Sequence, residues 1–310
     1  MPINDLSLRQ LQYVVAVADT LGFRRAAERC GVSQPTLSAQ VQQLEAVLGV
    51  ALFERDRTGV LVTAAGAEVV KRARRVLVET EDLLSAATRA RDPFAGTFRV
   101  GVIPTIAPYF LPAVTQTLAK AYPQLRLVFR EEKTEDTVRD LWAGTLDAGL
   151  LALEAELGAL EHAEILHDSF VLALPRGHAL AKKKKVTQHD LESEDVLLLE
   201  DGHCLRSQAL AVCQQAGAHE TDLRATSLAT LVQMVAGSKA VTLLPELAVA
   251  VENRNAQLEI REFCAPVPGR TIALAWRPRS PFSDAFRATA ATLRAAHRAG
   301  SGSAHRASPR

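Results

Sequence analysis

Arg24-Arg25-Ala26-Ala27-Glu28-Arg29-Cys30-Gly31-Val32-Ser33-Gln34-Pro35-Thr36-Leu37-Ser38, with Val41, Leu44 and Leu48 after it, is the stretch on which the reading of this chain turns. Arg24–Cys30 reads as a helix whose small Ala26 and Ala27 let a second helix approach closely. Gly31-Val32-Ser33 is a tight turn: Gly31 stops one helix and Ser33 caps the next. Pro35 fits a first helical turn, where its missing N–H costs little. Leu37, Val41, Leu44 and Leu48 recur at helical spacing and form a buried face. Gln34, Thr36, Ser38 and Gln42 are left outside, as short polar groups at the N-terminal end of that helix. Two helices across a glycine turn, the second polar at its tip, match a helix-turn-helix whose side chains reach base edges or phosphates.

An amphipathic helix through Leu8, Leu11, Val14, Val15 and Ala18 precedes this pair. Beyond it, Leu52–Arg55 and Gly59–Thr63 read as a short hairpin, a wing from which Arg55 and Arg57 approach phosphates. Bulk charge adds nothing, because residues 1–62 carry six Arg and six Asp or Glu. The alternative is a packed helical domain with no nucleic-acid partner.

The 310 residues predict two or three domains. Composition is that of a soluble chain, 48% hydrophobic and 23% charged with net charge +1. No apolar run is long enough to span a membrane, and no signal peptide is visible, so a cytoplasmic protein is expected. Four scattered cysteines without CxxC pairs argue against a metal site and against a secreted disulfide scaffold. No cofactor is expected. In a reducing cytosol a disulfide here is transient and regulatory.

The head resembles the winged helix-turn-helix of LysR-type transcriptional regulators. The resemblance is carried by Phe23–Ala27, Val32–Ser38, Leu44-Glu45 through Leu48-Gly49-Val50 to Leu52–Arg55, and Leu61–Gly66. It implies a partner of double-stranded promoter DNA, with Arg24, Ser33, Gln34, Pro35, Thr36, Ser38, Gln42, Arg55 and Arg57 as the DNA-facing set. From Thr63 or Ala64 to about Arg91, Val70, Leu77 and Leu84 recur every seven residues with Ala73, Thr80 and Ala87 between. That seam suits pairing with a second copy, and the resemblance favours this over a helix packed on its own body.

Asp92–Gly96 breaks that helix. Strands and helices then alternate: Phe98–Ile103, Leu111–Ala121, Leu125–Arg130, Glu135–Trp142, Ala148–Leu153. This rhythm predicts a parallel sheet covered by helices. The pattern restarts at Phe170–Leu174, continues through Val196–Leu199 and ends near Phe263. Thr271–Trp276 and a helix from Ser283 to about His297 return to the first half. The expected fold is α/β with an N-terminal winged helix-turn-helix and a two-lobed, periplasmic-binding-protein-like regulatory domain. Its parts are a head at 1–63, a linker helix at 64–92 and a hinge at 93–97. Lobe one takes 98–168 and 271–298, and lobe two 169–270. The small, basic segment 299–310 is expected as a disordered tail, and Lys182–Lys185 as a solvated loop.

Glu200 to Gly217 holds two cysteines, Cys204 and Cys213. Asp201-Gly202 reads as a loop ending in an N-cap, the spacing after it as a helix, and Gly217 as its C-cap. Cys204 then lies in the first turn. There the helix dipole, His203 and Arg206 favour the reactive thiolate. Nine residues on, Cys213 faces the other way, about 13–14 Å up the axis. A disulfide needs Cα atoms within about 7 Å. One reading makes both cysteines structural. The other makes them a redox switch that closes only when the segment unwinds.

Leu199–Arg206 with Cys213, Arg224–Leu228, and Gly101–Thr105 continuing to Pro108-Tyr109 resemble the peroxide-sensing members of the LysR family. Departures from that pattern are minor and fall mostly in the loop His219–Leu223 and the tail. The resemblance implies Cys204 as the peroxide-attacking cysteine and Cys213 as the resolving one, joined in a reversible disulfide. It implies Thr105 and Thr134 as peroxide ligands, with His203 and Arg270 supplying a proton or a cation to the leaving hydroxide. It further implies a homodimer through the linker helix, assembling into tetramers, with RNA polymerase and a thiol reductant such as glutaredoxin or thioredoxin as partners. The protein would be an activator of oxidative-stress genes and not an enzyme. Cys30 and Cys264 are expected as packing residues. Two rivals stand: a LysR-type regulator sensing a small organic effector between the lobes, and a thiol peroxidase, against which the helix-turn-helix argues.

Overall fold

The computed structural model describes residues 6–55, 60–89, 94 and 96–304. It divides into two compact units whose main boundary falls between residues 90 and 91. The first unit holds α1 (Leu8–Thr20), α2 (Phe23–Cys30), α3 (Gln34–Leu48), the antiparallel strands β1 (Phe53–Arg55) and β2 (Val60–Val62), and α4 (Ala64–Arg89). Val14, Val17, Ala26, Leu37, Val41 and Leu44 are fully buried between the helices. Gly31 ends α2 with φ +66°, a left-handed conformation that costs glycine least. Glu45 Oε1 accepts from the N–H groups of Leu52 (2.7 Å) and Phe53 (3.2 Å), tying the hairpin to α3.

The expected seam on α4 is divided. Val70 and Ala73 are buried in the head's own core and Leu77 packs against it. Val76, Leu83 and Leu84 are exposed instead. The apolar period is real, but its first two repeats are used by α1, because a helix leaving a small three-helix head must first cover that head's open side.

The second unit carries two lobes. The first contains β3 (Gly96–Val102), α5 (Ala107–Ala121), β4 (Leu125–Glu131), α6 (Thr134–Ala143) and β5 (Ala148–Ala152). β6 (Glu161–Pro175) then crosses to the second lobe. That lobe adds β7 (Lys185–Val186), β8 (Asp195–Leu199), α7 (Cys204–Ala216), β9 (His219–Ala225), α8 (Leu228–Ala236), β10 (Thr242–Pro245), α9 (Glu246–Glu252) and β11 (Leu258–Phe263). β12 (Gly269–Trp276) and α10 (Ser283–Ala304) return to the first. Each lobe has its own core, one around Phe98, Phe110, Trp276 and Phe286, the other around Phe170, Leu198, Val232 and Phe263.

The expected parallel sheet is mixed. β3 pairs in parallel with β4 and β5, but β12 runs antiparallel to both β5 and β6. A strand coming back from the other lobe must oppose the one that left. β6 begins at Glu161, well before the apolar run at Phe170. Its residues 161–169 pair with β12, and 170–175 with β10 and β11. The segment expected as a loop at His219–Leu223 is strand β9, parallel to β8. Lys183 and Lys185 are tied to Asp190 and Glu262, and Lys185 enters β7. α10 runs to Ala304, past the expected start of the tail, since extending an existing helix adds a hydrogen bond without a new nucleus. Residues 305–310 lie outside the described residues, as do 93 and 95 of the expected hinge.

A Cβ added to Gly66, in the first turns of α4, would fall 2.1 Å from the Leu52 carbonyl oxygen. Gly66→Ala is expected to destabilise the head by about 1–3 kcal/mol. The measurement is an earlier urea midpoint together with faster amide hydrogen exchange through Leu52–Val62.

Candidate functional site

Two sites emerge, one on each unit. On the head, Ser33 caps α3: its Oγ accepts from the Thr36 N–H at 3.3 Å and lies 2.8 Å from Thr36 Oγ1. Pro35 sits in the first turn. With Leu37, Val41 and Leu44 turned inward, Gln34, Pro35, Thr36 and Gln42 are exposed and Ser38 is half-buried. Arg24 stands at the start of α2, paired with Glu28 at 3.2 Å, both well exposed. Such a pair contributes little, so a phosphate can displace Glu28. Arg57 and the side chain of Arg55 lie outside the described residues.

On the regulatory unit, the parallel strands β3 and β4 end side by side, Val102 opposite Glu131. Thr105 follows the first, and Thr134 follows the second at the start of α6. Strand C-terminal ends are where such sheets bind ligands. A cleft of about 660 Å³ runs between the lobes there. Lobe one lines it with Thr134, Glu135, Val138, Arg139, Glu154 and Glu156, and lobe two with Gly202, His203, Cys204 and Ser207.

Cys204 is the first residue of α7, and His203, not Asp201 or Gly202, is the N-cap, making no side-chain capping bond. The Cys204 side chain packs against the core of the first lobe. Arg206 does not serve the thiol as expected. Its Nε donates to Asp201 Oδ1 at 2.8 Å, and its Nη1 is 2.7 Å from Glu220 and donates to the Leu199 carbonyl at 3.3 Å. Arg224 completes the cluster on Asp201 at 2.6 Å. The guanidinium is held in the second lobe because two carboxylates meet it there.

His203 is buried and hydrogen-bonded to the Thr226 backbone. Burial and then the Lys133 charge hold its imidazole below the ordinary histidine range, so it is neutral at pH 7. Its Nε2 has no hydrogen-bond partner, Glu200 Oε1 being 3.9 Å away. An imidazole so placed can relay a proton, one of the two alternatives expected of it.

Arg270 is fully buried and does not reach the cleft as a free cation. It faces Asp168 across the β12–β6 pairing, with Nε 3.0 Å and Nη2 2.9 Å from Asp168 Oδ2. Nη1 donates to Thr105 Oγ1 at 2.7 Å and Nη2 to the Thr105 carbonyl at 2.9 Å. Because Thr105 Oγ1 accepts from Arg270, its own proton is directed elsewhere. Arg270 is thus fully engaged by Asp168 and Thr105. Asp168, absent from the sequence-derived set, also accepts from the Leu247 N–H of the second lobe at 3.1 Å.

Six buried side-chain polar atoms among the described residues lack a hydrogen-bond partner, and four belong to Thr134, His203 and Gln208. Gln208 leaves both its amide atoms unmatched, one turn beyond Cys204 on α7. Leaving such an atom unpaired costs about 1–3 kcal/mol, and Thr134 and His203 line the cleft beside Cys204, which fits a small ligand that both donates and accepts there. Sequence reasoning placed Gln208 only in the helix's repeating pattern. The signal for more was a long amide at a position sharing the face of Cys204.

Cys213 is buried in the core of the second lobe, and burial, with Glu220 adding, pushes its thiol up to about 12. The two sulfurs sit in different cores on opposite faces of an intact helix, and all four cysteines are free thiols. Cys30 is half-buried, and burial pushes its thiol up. Cys264, expected as a packing residue, is exposed, since β11 ends at Phe263. No group of three or more His, Cys, Asp or Glu among the described residues could hold a metal ion, and no described helix is long and apolar enough to cross a membrane.

Comparison with known proteins gives a consistent set. The family described as "Bacterial regulatory helix-turn-helix protein, lysR family" matches residues 8–67, and "LysR substrate binding domain" matches residues 91–298. A hydrogen peroxide-inducible genes activator of Dickeya chrysanthemi is 42% identical over 93% of this chain and 95% of its own. A full-length OxyR variant from Pseudomonas aeruginosa superimposes with a TM-score of 0.76 at 34% identity, covering 93% and 95%. A Corynebacterium glutamicum OxyR variant with hydrogen peroxide bound gives 0.64 at 32%, covering 94% of each chain.

Asp168→Ala strands the Arg270 guanidinium in the interior. It is expected to destabilise the regulatory unit by about 3–5 kcal/mol, read as a lower urea midpoint by tryptophan fluorescence. Thr105→Val is expected to cost less, because it removes one acceptor and leaves the ion pair whole.

Proposed function

The chain belongs to the LysR family of bacterial helix-turn-helix regulators, and we propose that within it the protein is a hydrogen-peroxide-responsive transcription factor of the OxyR kind. The observation that carries this reading is the pair of unmatched buried polar atoms, Thr134 Oγ1 and His203 Nε2, lining the same cleft as a cysteine at a helix start. Hydrogen peroxide is small, and each of its oxygens both donates and accepts. The Thr134 hydroxyl and the His203 imidazole in the cleft complement it.

The Cys204 thiolate attacks one peroxide oxygen: an S–O bond forms and the O–O bond breaks. The leaving hydroxide takes a proton and departs as water, with the Thr105 hydroxyl and the His203 relay as nearby carriers. Cys204 becomes a sulfenic acid. The Cys213 thiol then displaces its oxygen as a second water, closing the disulfide before further oxidation. Two thiols and one peroxide thus give one disulfide and two waters.

Closure cannot occur on the intact α7. The first turns must unwind and Cys213 must leave its core. That rearrangement is the signal, passed to the way regulatory domains pair and so to the spacing of the DNA-binding heads. DNA is read by Arg24, Gln34, Pro35, Thr36, Ser38 and Gln42 from the tip of α3, with Ser33 ordering the helix start and Arg55 and Arg57 on the wing. The protein works in the cytoplasm as a dimer, assembling into tetramers, through the exposed Val76 and Leu83 of α4. It activates transcription with RNA polymerase and is reset by glutaredoxin or thioredoxin. It acts once per reduction and is not a peroxidase.

The cleft's volume also suits a small organic effector, which defines a second reading in which Cys204 is incidental. One equivalent of peroxide followed by mass spectrometry separates the two. Loss of two hydrogens, localised to Cys204 and Cys213, is expected. In footprinting with and without peroxide, Cys204→Ser is expected to give an unchanging pattern. A pattern that still shifts overturns the switch.

A further inference from the structure

Lys133 stands immediately before Thr134, and its backbone is fixed in the first lobe. Its carbonyl accepts from the Thr137 N–H at 3.0 Å and from the Thr137 hydroxyl at 3.1 Å. Its ammonium crosses to the second lobe. Nζ donates to Glu200 Oε1 at 2.9 Å and to the Asp201 carbonyl at 3.2 Å. The aliphatic stem lies over Gly202, where an added Cβ would sit 3.1 Å from Lys133 Cδ. Gly202 has φ +90°, a left-handed conformation that favours glycine. Lys133 also holds the Glu200 carboxyl below its usual range. The strap Glu200–His203 leads directly into Cys204.

One side chain therefore joins the start of α6, where Thr134 sits, to the strap that sets the start of α7, where Cys204 sits. We infer that Lys133 is a positioning residue for the peroxide reaction: it clamps Glu200–Gly202 onto the first lobe and so holds the Cys204 sulfur opposite the Thr134 hydroxyl. This inference rests on the reading of Cys204 as the peroxide-attacking thiol. The step it serves is the first one, in which S–O forms, O–O breaks and the leaving oxygen departs as water. Lys133 and Glu200 are each more than a third exposed. The clamp is thus screened by salt and accounts for a modest rate factor, about two- to fivefold.

The test uses the full-length protein carrying Cys213→Ser, so that oxidation stops at the sulfenic acid, with and without Lys133→Met. Two rates are measured at Cys204: gain of one oxygen from hydrogen peroxide, and alkylation by iodoacetamide, which needs no hydroxyl from Thr134. Expected is a two- to fivefold slower reaction with peroxide, alkylation unchanged or faster, and loss of the parent's decline in peroxide rate with ionic strength. The charge-swapped pair Lys133→Glu with Glu200→Lys is expected to recover at least half of the lost rate, which separates clamping from a folding defect. Equal slowing with both reagents means that Lys133 acts on the thiolate itself and overturns the clamp, as does an unchanged peroxide rate. A Cys213→Ser parent that gains no oxygen from stoichiometric peroxide overturns instead the reading of Cys204 on which the clamp rests.

Discussion

A guanidinium and a carboxylate, both wholly buried, face each other where the strands joining the two lobes lie side by side. Arg270 and Asp168 are partners across β12 and β6. Burying two charges is costly unless each finds further partners. Arg270 finds them in the Thr105 hydroxyl and carbonyl, and Asp168 in the Leu247 N–H. The pair thereby ties the end of β3, the two crossing strands and the start of α9 into one arrangement. Losing either charged member leaves the other desolvated without compensation. Thr105 is consequently held in place by its hydroxyl and its carbonyl together.

α7 supplies the opposing element. One thiol is at its first residue, packed on the core of lobe one, and the other is about two and a half turns on, inside lobe two. The helix keeps them apart by its own hydrogen bonds and by burying Leu205, Ala209 and Cys213. Exposing one leucine costs about 2 kcal/mol, so this burial holds the two thiols apart. The Arg206, Asp201, Glu220 and Arg224 cluster adds resistance at the same end, linking the first turn of α7 to β9.

Much of the head was legible in the residues. The Gly31 stop, the Ser33 cap, Pro35 in the first turn and the Leu37, Val41, Leu44 face are local or periodic features, and local rules fix them. The opposition of Cys204 and Cys213 follows from counting along a helix. Less legible was the first half of β6, where Glu161, His162, Glu164, His167 and Asp168 look like a loop. They form a strand because β12 pairs with them, and no spacing rule reports a partner a hundred residues away.

The sequence by itself determined which elements form and on which face each cysteine lies, since these depend on neighbours within a few turns. Only the tertiary structure decided what the charged groups do. It took Arg206 away from the thiol to two carboxylates, placed Arg270 behind Thr105, made His203 neutral and brought Lys133 across to Glu200. An electrostatic role depends on distance and burial, and both are set by chain segments far apart in sequence, so the same residue types in the same order acquire their partners only once the lobes have packed around them.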